Sequence, residues 1–394
     1  MFDQIHEFVS SAKVLNTHSH HYPDDFFADF NLDKLLRDSY IAWCDVEFDS
    51  TRESRENYLS KVRYKSYFVY LQAALKNLYN IDENLSADNW EQYSQAIKQA
   101  HKNSTWHKTI LSKHCNYEKS ILDAYWDPGS DNGDSKVFAS TFRIDSLFFG
   151  FDKSVFNHNG HNAYDFYKNE SSDIDEYMAF VRALIVKKIS SGIVSLKNAM
   201  AYDRNIRYRK TTKQAANRVF NDKNYTQADV TAFQDYLFFE VCKIAAELDI
   251  PMQCHTGQGC LDDTRAIAMH EVITANPDTT FVLFHAGFPW CDDILALLHD
   301  CPNVYSDICW LPLLSPTTAK ESLHKHIELG IAAKICWGGD TWTSEESYGA
   351  RLAANRVIAT VLDEKIADGY LNIDDAKNNT ENLFYNNAKQ LYKI

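Results

Sequence analysis

From residue 192 to residue 340 the chain repeats one pattern, and that pattern limits the folds open to it. Short apolar runs alternate with stretches of helical spacing. The run Ile193 to Lys197 comes first, opened by Gly192. A helix is expected over 226–248, with Thr226 as N-cap and Asp229 three residues on. Strand 252–255, helix 263–275, strand 280–285, helix 291–299, strand 303–308, helix 317–329 and strand 334–338 follow, and helices 344–363 and 373–391 end the sequence. Short, continuously apolar strands are what a parallel sheet covered on both faces produces.

The first half fits the same scheme with one interruption. A helix over 1–12 leads into a strand at 13–18. No convincing strand appears between 21 and 117. Helical spacing recurs at 31–43, 57–79 and 87–102, so 21–117 reads as a mostly helical insertion after the first strand. Strand character returns at 120–126, and Asp127-Pro128-Gly129 and Asp131-Asn132-Gly133 make a turn-rich loop. A strand candidate at 137–149, a loop at 150–171 and a helix at 173–190 complete the series. Eight strand units predict an α/β fold, the (β/α)8 barrel, with residues 1–394 as a single barrel interrupted by 21–117. An open doubly wound sheet is the alternative, but neither G-x-G-x-x-G nor a P-loop motif is present to favour it.

Composition narrows the partners. The net charge of -14, from 54 acidic and 40 basic residues, argues against nucleic acid and against docking on an anionic membrane. No apolar run approaches the roughly 20 residues of a membrane helix. The first residues show no basic and apolar leader. Nine cysteines without scaffold spacing read as reduced thiols, so a cytoplasmic protein is expected. Cys254 adjoins His255, but alternation turns it away from whatever His255 serves, so it reads as a packing residue.

The candidate chemistry sits at the ends of the strands. His18 and His20 are two residues apart, so alternation points both imidazoles one way. Arg143 lies on the third strand, Lys197 ends the fourth, His255 the fifth and His285 the sixth, and Asp340 follows the eighth. On a barrel these ends share one mouth, where active sites of this fold are built. Arg143 and Asp145 share a face, which supports either a structural ion pair or a guanidinium free to grip a carboxylate. His21 reads as structural or exposed, His158 and His161 as solvated loop histidines, and Trp290 and Trp342 as pocket walls or packing.

His18-Ser-His20, Leu196-Lys197 with Tyr202 and Arg204, His255-Thr-Gly257, His285-Ala-Gly-Phe-Pro289 and Gly338-Gly-Asp340 together resemble the amidohydrolase superfamily. They are most similar to its amidohydrolase-2 branch, which includes the FluG-type domains, and the likeness is strongest over 190–394. Leu36-Arg-Asp-Ser-Tyr40 and Thr141-Phe-Arg-Ile-Asp145 also resemble uronate isomerases of the same superfamily. The resemblance implies one divalent ion, zinc or manganese, on His18, His20, His255 and Asp340. It implies Asp340 and His285 as proton-handling catalytic residues, and Arg143, Lys197, Tyr202 and Arg204 as substrate contacts. In some members a carboxylated lysine on strand four bridges two ions; for Lys197 a plain ammonium on the substrate is the simpler reading.

The expectation is therefore a metal-dependent hydrolase that uses a metal-activated water on a small, carboxylate-bearing substrate. A uronate-isomerase-like isomerase or a decarboxylase is the alternative within the fold, and a non-catalytic ligand-binding barrel the alternative outside it. The insertion is expected to serve as a lid or as a homo-oligomer interface.

Overall fold

The apolar runs decide the architecture. The computed structural model describes residues 2–221 and 224–394, so Met1 of the first expected helix lies outside the described residues. Eight strands form in chain order: β1 Val14–Ser19, β2 Tyr117–Leu122, β3 Phe138–Arg143, β4 Ile193–Asn198, β5 Met252–Cys254, β6 Phe281–Leu283, β7 Val304–Asp307 and β8 Ile335–Cys336. Each pairs in parallel with the next. The ends of the sheet meet through individual bonds. The Thr17 N–H donates to the Trp337 carbonyl (3.4 Å) and the Asp340 N–H to the His18 carbonyl (2.9 Å). The Gly339 N–H donates to the Asn16 side chain (2.7 Å). A β-carbon at Gly338 would stand 2.5 Å from the His18 nitrogen, so this close approach requires glycine. The result is the expected (β/α)8 barrel.

Leu15, Ile121, Ala139, Val282 and Cys336 form one buried cluster with Leu391 and Tyr392 of the C-terminal helix Asn387–Tyr392. Cys254 packs in a different layer, with Leu196 and Phe238, as alternation requires. The strands stop short of their apolar runs. β3 ends at Arg143, and Asp145–Phe149 winds into a 3₁₀ turn. β5, β6 and β8 end before His255, His285 and Asp340, which therefore stand on the loops above the sheet. His285 (φ 65°) and Asp340 (φ 57°) take left-handed backbone, a conformation that concentrates at functional sites.

Between β1 and β2 the chain is helical, with Leu32–Arg37, Arg52–Val62, Ser66–Tyr79 and Trp90–Ala100 around a core of Phe30, Leu35, Tyr58, Phe68, Trp90 and Tyr93. The one helix expected at 57–79 is two, because Lys65 is extended and caps the second. This unit docks on the helix Ser344–Ala367 through two adjacent buried acids. Glu345 accepts from Tyr79 Oη (2.6 Å) and meets His101 Nε2 at 2.7 Å. Glu346 accepts the N–H of Tyr40 (2.5 Å) and that of Trp342 (3.2 Å).

Burial pushes the Glu346 carboxyl up to about 8 from 4.5. A carboxyl raised in the folded state favours folding below its unfolded pKa and loses that contribution as pH rises through the folded value. Glu346 is thus expected to tilt stability downward between about pH 4.5 and pH 8. Glu346→Gln should flatten that slope in urea unfolding measured across the range; an unchanged slope would assign it to other groups.

Candidate active site

Three donors converge at the barrel mouth. His18 is the next-to-last residue of the fully buried β1, and His20 follows the strand on the same side. Asp340 reaches them from the loop after β8. His18 Nε2 lies 3.2 Å and His20 Nε2 3.3 Å from the same oxygen, Asp340 Oδ1. All three side chains are buried.

These residues fit a metal ion. His20 Nδ1 is 2.8 Å from the Asp123 carbonyl, which can only accept, so Nδ1 carries the hydrogen. In the neutral ring the Nε2 lone pair then faces a carboxylate oxygen, an arrangement that a cation between them resolves. His18 Nδ1 is buried, with no hydrogen-bond partner among the described residues. Burial, reinforced by Lys197, holds the His18 imidazole low, at about 4, which keeps it neutral as a ligand must be. Nitrogen and oxygen ligands about 2.0–2.1 Å from a tetrahedral ion stand roughly 3.3 Å apart, which matches the observed spacings. Burial alone would raise the Asp340 carboxyl, but the histidines beside it, His18 foremost, hold it well below the usual range.

His255 is not in this set. β5 ends before it, and its Nε2 lies 2.6 Å from the Gln258 carbonyl while its Nδ1 lies 2.9 Å from His285 Nε2. The carbonyl fixes the order of hydrogens: His255 Nε2–H donates to Gln258, and His285 Nε2–H donates to His255 Nδ1. His285 Nδ1 is left as an acceptor, 3.3 Å from Cys309 Sγ and 3.6 Å from Asp340 Oδ2. Burial, with Lys197 adding to it, outweighs Asp340 and holds His285 at about 3.

Lys197 is fully buried, and among the described residues none is hydrogen-bonded to its Nζ, which sits 3.5 Å above the Phe284 ring. Burial lowers its pKa, only partly opposed by Asp123. Arg143 shows the structural pairing rather than a free fork. Its Nε donates to Asp145 (2.7 Å) and its Nη1 to Asp123 (3.1 Å). Arg204 does not reach the cavity. It pairs with Asp235 (2.9 Å), bonds Gln234 (3.2 Å) and packs on Tyr208. Tyr202 does line the cavity, its ring 4.4 Å from that of His255, and burial raises its hydroxyl so that it stays a donor.

The cavity above the donors measures about 250 Å³. Tyr40 and Trp43 of the insertion wall it, together with Trp342, which stacks on His20 at 5.1 Å. A contiguous recess of about 150 Å³ is bounded by Gln258, Gly259 and Trp310. Trp290 lies instead beside Arg265 on the outer surface, and His21 is buried against His107 (2.9 Å). Sequence reasoning missed Asp123, Cys309, Tyr40 and Trp43, and read His158, which lines the cavity, as a solvated loop histidine. Asp123 carried a usable signal, an acid at the end of an apolar run as Asp340 is. A larger groove of about 500 Å³ lined by Arg207, Arg209 and Glu271 lies elsewhere, with its charges already paired.

A parallel barrel with a buried His-x-His and the Asp that follows β8 at its mouth resembles barrels of the amidohydrolase type. The comparisons agree: residues 220–394 match the sequence profile of the family described as Amidohydrolase. Protein fluG of Emericella nidulans is 25% identical over 153 residues, which cover 36% of this chain and 17% of that protein, so the chain spans under a fifth of the length of that curated relative. Among solved structures, a uronate isomerase from Thermotoga maritima superposes with TM-score 0.77 at 16% identity over 99% of this chain and 97% of its own. A Lactobacillus casei protein named as a metal-dependent hydrolase gives 0.73 at 16% identity over the same shares. A glucuronate isomerase from Caulobacter crescentus gives 0.74 at 14% identity, over 100% and 93%. The resemblance read from the motifs therefore stands, and so does the fold.

Proposed function

We propose that the chain is a metal-dependent hydrolase of a small, carboxylate-bearing substrate. The observation that carries this is the convergence of His18 Nε2, His20 Nε2 and Asp340 Oδ1 on one point at the cavity floor. A divalent ion held there, zinc or manganese, would lower the pKa of a water and polarise a substrate oxygen. Asp340 accepts the proton of the attacking water, and His285 Nδ1, 3.6 Å from Asp340 Oδ2, is the next acceptor in reach. The Lys197 amine offers its hydrogens to the substrate carboxylate, and the Tyr202 hydroxyl donates beside it. Tyr40, Trp43 and Trp342 exclude water from the site. Free thiols at every cysteine suit a reducing, cytoplasmic compartment.

The full-length superposition on uronate isomerases, insertion included, favours a second reading, the aldose–ketose isomerisation of a uronic acid. The same acid and base would then move a proton between neighbouring carbons. Incubating zinc- or manganese-loaded protein with uronic acids, and separately with lactones and amides, decides between them: new ketose supports isomerisation, and new carboxylate supports hydrolysis. A barrel that only binds would turn over none of them.

His285→Asn is expected to keep one equivalent of metal and lose turnover by roughly 10²-fold, the scale of a general acid–base group. Loss of the metal in this variant would make His285 a ligand instead.

A further inference from the structure

The 150–171 loop is built to hold a histidine over the cavity. Asn157 Oδ1 accepts the N–H of Asn159 (3.0 Å) and that of His161 (2.9 Å). Its own N–H donates to the His161 carbonyl (2.9 Å). The Nδ2 of buried Asn162, with two hydrogens to give, lies among the carbonyls of Phe149 (2.9 Å), Asp152 (2.7 Å) and Val155 (2.5 Å). These bonds leave His158 at the turn. Asp203, on the loop after β4, accepts the His158 N–H at 2.6 Å and meets its Nδ1 at 2.7 Å.

A carboxylate only accepts, so Nδ1 carries the hydrogen and Nε2 is the free nitrogen of the neutral ring. Among the described residues, none is hydrogen-bonded to that Nε2. The imidazole lines the same cavity as His18, Lys197 and Asp340, with its ring 4.9 Å from that of Tyr202. The side chain is 23% exposed, so the cavity and solvent both reach it.

We propose that His158, oriented by Asp203, is a second proton-transfer residue of this cavity, acting on a substrate oxygen. This rests on the reading of the cavity as a metal-dependent active site. In the step, a substrate hydroxyl loses its proton to Nε2: the O–H bond breaks, the Nε2–H bond forms, and Asp203 stabilises the imidazolium. The proton then returns from Nε2 to an oxygen of the product, which restores the neutral ring. The charged and titratable groups that face His158 are Asp203 and Tyr202 in contact, and, across the cavity, Lys197, Asp123, Asp340, Tyr40, Tyr125, His18, His20, His255 and His285.

The test uses the zinc-loaded full chain. The ring nitrogens of His158 are followed by NMR while D-glucuronate, and separately gluconolactone, is added to saturation. A free-ring pattern with hydrogen on Nδ1, and a shift at Nε2 on addition of either probe, is the expected result. No change with either probe overturns the proposal. On the probe that is turned over, His158→Gln should keep the metal and lower kcat by about 10²-fold. Asp203→Asn should keep the metal, lower kcat and weaken the preference for hydrogen on Nδ1 in the ring-nitrogen spectra, since an amide, unlike a carboxylate, can also donate to Nδ1. Turnover equal to wild type in His158→Gln, or a loss confined to KM, overturns the proposal. Failure of the functional reading itself is told apart by wild-type protein that binds no zinc, and the spectra still decide the place of His158.

Discussion

Replacing Asp340 by Ala is expected to empty the site of its ion and reduce turnover to background. Asp340 is the one anionic member of the three-donor set, and both imidazole Nε2 atoms face its Oδ1, at 3.2 and 3.3 Å. Without it, two neutral imidazoles remain. Removing a group that merely orients a ligand costs about 10–100-fold in metal affinity, and loss of the charged ligand should exceed that. Asp340→Asn keeps the shape and one carbonyl oxygen, so it separates charge from packing: it should fold as wild type and still bind metal poorly. Elemental analysis after dialysis, run beside a thermal melt, checks both. An equivalent of metal retained in folded Asp340→Ala would sink the site assignment.

Much of this site was legible because strand alternation is rigid. A spacing of two residues at the end of a fully buried β1 forces His18 and His20 together, and the regular strand order then brings Asp340 beside them. The strand ends were less legible, since apolar residues continue past the sheet. Phe148 and Phe149 are buried in a 3₁₀ turn, and Phe284 is buried just beyond β6. That overrun hides the loops on which His255 and His285 turn toward each other.

Long-range partners were not legible at all. Arg143 could have been free or paired; alternation offered Asp145, but its second partner, Asp123, comes from just past the end of β2. Arg204 looked like a neighbour of Lys197 but is drawn outward by Asp235. The partner of His158 lies 45 residues away in sequence. Helical spacing announced the insertion but not its docking face. A periodic pattern reports which side of a helix is apolar and leaves open what covers it.

That docking face carries the second large effect, the expected consequence of Glu345→Ala. Glu345 is fully buried at the start of the helix Ser344–Ala367. It meets His101 Nε2 (2.7 Å) and accepts from Tyr79 Oη (2.6 Å), both of the insertion, and from Ser344 Oγ (2.8 Å). Burial alone would raise its carboxyl, but His101 and the bonds from Tyr79 and Ser344 hold it below its usual 4.5. Removing the carboxylate leaves these donors buried and unpaired, a change that costs about 3–5 kcal/mol when a buried pair loses one partner. The sign with pH is opposite to that of Glu346. A carboxyl depressed in the folded state contributes stability above its unfolded pKa and loses it as pH falls through the folded value. Wild type and Glu345→Ala should therefore differ most near neutral pH and converge in acid. Because the lost contacts join the insertion to the barrel, protease cleavage within residues 24–114 should accelerate in the variant ahead of cleavage in the barrel. Urea unfolding at neutral and acid pH, with limited proteolysis alongside, measures all three. A loss under about 1 kcal/mol, the scale of a single ordinary hydrogen bond, would show that the insertion is held by its apolar contacts and not by this acid.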